Sequence, residues 1–163
     1  MTSNVPGRAQ AVHYMERTRN YYRALGYRSD YSWAHNTEVP FAQPNLALDK
    51  MTVAVVTTTS PAGTTKKTLP TVWSADSNLV PESMYTNNLA WDKETTHTND
   101  TGSFLPLVAM QQMVKNAELG AIAQRFHGVP TEYSQRQTLD NDAPEILKRV
   151  TEDAADAVLL VPL

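Results

Sequence analysis

The 163-residue chain contains no cysteine. That excludes disulfides, thiolate metal sites and a thiol nucleophile within this chain. Long apolar runs are also missing: none approaches the roughly 20 residues needed to span a bilayer. The opening MTSNVPGRAQ lacks the apolar centre of a signal peptide, so the expected compartment is the cytoplasm, with no membrane partner. Neither sign of charge dominates, with 14 Lys and Arg against 17 Asp and Glu. A net charge of −3 gives no electrostatic reason to expect nucleic acid or an anionic surface as partner. Gly-x-Gly-x-x-Gly and Walker patterns are absent, so no nucleotide is indicated. A hydrophobic content of 41% with 19% charged residues fits a globular chain, and the length holds one sizeable core.

Taken in order, residues 8–25 read as an amphipathic helix. Val12, Met15, Tyr22 and Leu25 share a stripe, Arg8, Arg17, Arg19 and Arg23 fill much of the other face, and Gly26 stops it. No strand precedes it, so it forms an N-terminal helical arm. Residues 27–48 have no sustained period, but Tyr31, Trp33 and Phe41 are too many large rings for a free linker, so the segment should lie against something. His35 beside Trp33 either lines a pocket or is a hydrogen-bonded surface histidine. The arm and this extended stretch make up residues 1–50, and an α/β half-domain occupies 51–163.

MTVAVVTT at 51–58 is the clearest strand, apolar on both faces and β-branched. It runs into Thr57, Thr58, Thr59 and Ser60, the carboxyl-end loop where hydroxyls and free amides can meet a ligand. Residues 66–74 read as a short edge strand, since Pro70 does not suit a central one. The polar stretch 75–101 ends by crowding His97, Asn99 and Asp100 into four residues. Such a group can bind a small polar ligand, move a proton or supply two metal ligands; the alternative is a polar turn whose Asp100 or Ser103 caps the next helix. Helices are expected over 103–115 and 117–126, the second from Leu119, Ile122, Ala123 and Phe126 at i, i+3, i+4 and i+7. Residues 131–141 read as a polar connection. Asp142, Pro144 and Glu145 then open a helix with a cap and capping box. That helix leads to Ala157–Val161, an apolar run expected to be a strand buried on both faces of a parallel sheet.

This order of elements predicts an α/β fold with a doubly wound, Rossmann- or flavodoxin-like, mostly parallel sheet. Two firm parallel strands do not close a stable sheet, so the sheet is expected to be incomplete in this chain and finished elsewhere.

Tyr14, Thr18, Arg19, Tyr21, Tyr22, Leu25, Gly26 and Tyr27 together resemble the N-terminus of the B-type subunits of the glycine, sarcosine, betaine and D-proline reductases. The resemblance continues through Val39-Pro40-Phe41, Val53–Thr58, Thr96–Asp100, Leu119–Ala123 and Asp153–Pro162, covering most of the chain in the right order. It implies that a redox-active cysteine or selenocysteine motif follows the strand at Ala157–Val161 and takes part in reductive cleavage of an α-carbon–nitrogen bond. In several such systems a partner subunit carries a pyruvoyl group formed by self-cleavage. This chain reaches Leu163 without a cysteine, so either the thiol or selenol is expected from a second protein chain, after cleavage of a longer precursor or as a separate subunit, or the catalytic half has been lost.

Three functional readings follow. In the first, the chain is a reductase-like subunit acting on a small amine or amino-acid-derived substrate. There His97 and Asp100 are catalytic, Asn99 orients the substrate, and Thr57, Thr58, Thr59 and Ser60 face it. In the second, His97 is a metal ligand whose companions come from the partner chain. In the third, the chain is a non-catalytic scaffold or regulatory subunit. No resident metal or other cofactor is assigned from the sequence.

Overall fold

A computed structural model describes residues 13–30, 32, 34–40, 42–89, 92–131 and 134–163. The expectations for Arg8, Val12, Tyr31, Trp33 and Phe41 lie outside the described residues. The chain divides into two compact units, Met1–Pro40 and Phe41–Leu163.

In the first unit, helix α1 spans Tyr14–Ala24, and Gly26 follows it at φ +86°, the left-handed stop that its position predicted. Arg23 holds Asp30 through Nε at 2.9 Å, and Tyr22 meets Tyr27 edge-on at 5.5 Å. No residue of α1 is buried.

The second unit is mixed α/β, built on a curled, mostly parallel sheet. Strand β1 (Thr52–Thr57) lies at its centre, and β2 is the two-residue strand Ser60–Pro61. An antiparallel β3 (Trp73–Asp76) forms one edge, beginning three residues past Pro70. Among the described residues strand β4 (Met84–Tyr85) pairs only with β2, in a small separate sheet. Helix α2 spans Leu107–Lys115.

The segment expected as a helix at 117–126 is instead two strands, β5 (Ala121–Ile122) and β6 (Arg125–Gly128), both parallel to β1 on the same side. Thr52 pairs with Ala121, but Val56 pairs with His127, so two extra residues are accommodated between β5 and β6. This bulge produced the misleading spacing. Leu119, Ile122 and Phe126 do share one core, while Ala123 turns to the opposite one. Two backbone features commit the segment to the sheet. Ala117 takes φ +57°, which ends α2. Gly120 donates to the Leu48 carbonyl at 3.0 Å, and a Cβ there would stand 2.7 Å from the Met51 carbonyl oxygen. Only glycine fits that approach.

The helical path to the last strand starts earlier than expected. Ser134 Oγ accepts from the Gln137 amide at 3.2 Å and caps the turn α3 (Gln135–Gln137). A wide π turn at Thr138–Asp142 then joins it to α4 (Ala143–Glu152). Asp142 therefore has helical backbone and makes no cap, and Glu145 bonds Arg149 at 2.7 Å instead of closing a capping box.

Strand β7 (Ala157–Val161) has the bounds its sequence predicted and runs parallel to β1 over five paired residues. Its expected burial on both faces is not found. Among the described residues β7 pairs only with β1, so it is an edge strand. Val158 and Leu159 are each 40% exposed and Leu160 is 68% exposed. A branched apolar run specifies a strand, but burial needs neighbours on both sides, and β7 has one.

Alternation along β1 creates two cores. Val53 and Val55 face Leu107 and Met110 of α2, with Phe104, Leu105, Leu119 and Phe126. Ala54 faces Val150 and Ile146 of α4, with Ala123 and Ala155.

Candidate functional site

At the carboxyl end of β1, the four hydroxyls expected to face a ligand have separate fates. Thr57 and Thr59 are buried, with their Oγ1 atoms 3.2 Å apart, and Ser60 is buried in the pairing of β2 with β4. The Thr59 carbonyl accepts from Trp73 Nε1 at 3.3 Å. Thr58 alone is partly open. Its Oγ1 accepts from the Leu163 amide at 2.9 Å and donates to the Leu163 carbonyl at 3.4 Å, which ties the exit of β7 to the exit of β1.

His97, Asn99 and Asp100 lie on an exposed turn. The Asn99 amide points at His97 Nδ1 at 3.4 Å, and Asp100 Oδ1 accepts from the Gly102 amide at 3.1 Å, capping a 3-10 turn. The cluster is thus brought together, in hydrogen bonds typical of a capped turn. Thr98 anchors it to Thr86 at 2.8 Å. Among the described residues, no hydrogen bond or ion pair joins this turn to Thr57, Thr58, Thr59 or Ser60. Nor do any three His, Cys, Asp or Glu side chains among them gather as a metal-binding group.

A dense polar cluster among the described residues was not anticipated from the sequence. It lies between the sheet and α4. Ser74 on β3 stands opposite His127 on β6 in antiparallel register, so both side chains share the α4 face with Arg125, two residues before His127. Arg149 on α4 and Asp153 at its C-cap, four residues apart, supply the facing groups. Ser74 Oγ lies 2.8 Å from His127 Nδ1 and also accepts from Arg149 Nη1 at 2.8 Å. His127 Nε2 is 3.2 Å from Asp153 Oδ2, close but out of line for a hydrogen bond, so both atoms remain without one. Arg125 Nε donates to Asp153 Oδ1 at 2.8 Å, and its Nη2 reaches Glu152 at 3.1 Å.

The electrostatics of this group follow from its burial. His127 is fully buried, and loss of solvent pushes its pKa below the usual imidazole range. Asp153 opposes that shift, while Arg125 and Arg149 reinforce it. The ring is neutral at pH 7. The Arg149 guanidinium, by its hydrogen bond, holds the Glu145 carboxyl below its ordinary value. The alternation in Arg-Phe-His-Gly at 125–128 was the available sequence signal, masked by the helix-like spacing before it.

Among the described residues an open cleft of about 360 Å³ lies at the other end of the strands. Leu46, Met51, Asp156 and Ala157 line part of it, and Asp156 Oδ2 there accepts from the Thr52 amide at 2.8 Å. Compared with protein-family models, curated proteins and solved structures, the chain matches none.

Proposed function

We propose that the chain is a cytoplasmic subunit of a reductase-like enzyme acting on a small amine or amino-acid-derived substrate, its redox residue supplied by a second chain seated against β7. The observation that carries this reading is the open outer edge of β7. Leu159 and Leu160 are exposed there, on a strand whose exit is held beside that of β1 by Thr58. Parallel sheets are covered on both faces, an unpaired strand edge is a template for pairing with another chain, and ligands collect beyond the carboxyl ends of the strands. In this reading the sheet is an incomplete doubly wound, Rossmann- or flavodoxin-like one. The partner adds the next strand and brings its thiol or selenol to the region of Thr58. His97 and Asp100, exposed on their turn, are free to be covered by the partner and to hold or move the substrate's proton, with Asn99 orienting it. The resemblance of 14–27 and 153–162 to the reductase B-type subunits supports the same chemistry.

The test is purification with companions intact, followed by the mass of every polypeptide. A second chain carrying cysteine or selenocysteine in fixed ratio is expected, together with dithiol-dependent release of an amine from an amino-acid-derived substrate. The chain found alone, with β7 amides exchanging equally fast in all fractions, refutes it. The scaffold reading draws support from Thr57 and Thr59 bonding each other and from Asp100 being engaged in its turn. It predicts the same companion, but activity unaffected by His97→Ala. The metal version would need every ligand beyond His97 and Asp100 from the partner.

A further inference from the structure

The cluster between the sheet and α4 is graded in burial. The Asp153 side chain is 6% exposed, His127 is fully buried, and Ser74 is half-buried on the edge strand β3. Proton positions follow from donor inventory. Arg149 can only donate, so Ser74 Oγ accepts from it. His127 Nε2 lies 3.2 Å from a carboxylate oxygen, where a ring proton is favoured electrostatically over a bare lone pair even without an aligned hydrogen bond. Nδ1 is left bare, and the Ser74 hydroxyl proton points to it across 2.8 Å.

We propose that Ser74 is a nucleophile activated by His127, and that the chain cleaves small activated esters through an acyl-serine. Ser74 Oγ adds to the ester carbonyl carbon as its proton passes to His127 Nδ1. The carbon–oxygen bond to the alcohol then breaks, and the alcohol leaves with that proton. Water, deprotonated by the same nitrogen, releases the acid and restores the hydroxyl. Arg149, already touching Oγ, is within reach of the oxyanion on the carbon bonded to it. Asp153 Oδ2, buried and 3.2 Å from Nε2, places a carboxylate charge beside the imidazolium as it forms. A purely structural clamp is served by the Arg125–Asp153 and Arg149–Glu145 pairs, neither of which requires a hydroxyl beside an imidazole. This chemistry uses no residue from a second chain and stands apart from the reductase reading.

The full chain is treated with a fluorophosphonate probe and the adduct is mapped by peptide mass. Ester hydrolysis is followed with p-nitrophenyl acetate. Labelling at Ser74 is expected, with hydrolysis falling about 100-fold or more in Ser74→Ala. Arg149→Lys is expected to slow labelling while sparing the site. A folded chain that leaves Ser74 unlabelled overturns the proposal, as does hydrolysis unchanged in a folded Ser74→Ala. If that variant fails to fold, adduct mapping on the unaltered chain decides alone.

Discussion

Gly128 occupies a place where a methyl group does not fit. A Cβ there would lie 2.1 Å from the Trp73 ring, which is bonded to the Thr59 carbonyl and meets Phe126 edge-on at 5.5 Å. The ring is held on two sides, so the backbone has to yield. Gly128→Ala is expected to cost roughly 1–3 kcal/mol, read from denaturant unfolding with tryptophan emission as a second probe. His127, a residue away, sets a pH dependence. Its folded pKa lies below the unfolded one, so the unfolded chain takes up the proton first as pH falls. Stability is therefore full above about pH 6.5 and declines below it, by up to about 1.4 kcal/mol per pH unit. Unfolding midpoints between pH 7.5 and 5.5 should show this slope, and His127→Asn should flatten it. Neither residue stood out in the sequence, because the partners that give them meaning lie some fifty residues away in Trp73 and Ser74.

Among the elements, β1 and β7 were legible because a continuous branched apolar run has few other conformations open to it. The stretch 117–126 was not, because helical spacing and a bulged strand place the same apolar residues in sequence. What decides between them is non-local: the left-handed turn at Ala117 and the fit of Gly120 against Met51. The capping pattern at Asp142 failed for a related reason, since a helical turn begun at Ser134 runs straight into it. The exposed turn at His97 was visible as a cluster, but its hydrogen bonds are satisfied locally. For β7 the structure makes a direct prediction. Leu160→Lys should change unfolding free energy by no more than about 0.5 kcal/mol, since the side chain is already 68% exposed. It should nevertheless abolish association with a companion chain, measured by sedimentation velocity.

At the scale of the whole second unit, the side-chain polar ties between α4 and the sheet lie on one side of the sheet's midline. Polar groups pin α4 to β3 and β6 through Arg149 and Arg125, and the apolar cores gather around β1. On α4, Leu147 lies on the opposite flank from Arg149 and is exposed, as are Val158 and Leu160 on the same sheet face. Among its described residues the second unit therefore has a polar-pinned flank and an apolar, exposed one, and His97→Ala separates the functional readings. In an assembled enzyme, activity should fall while the melting temperature stays within about 2 °C, because the side chain is exposed. Unchanged activity would favour the scaffold role.

The two residues accommodated between β5 and β6 also carry an arithmetic. Because the insertion is even, Phe126 still faces α2 and His127 still faces α4. Removing Gln124 alone would, under regular alternation, press an imidazole into the larger apolar core and a phenyl ring against Asp153, so a single deletion has to be absorbed by a one-residue bulge. A paired change keeps the facing without one.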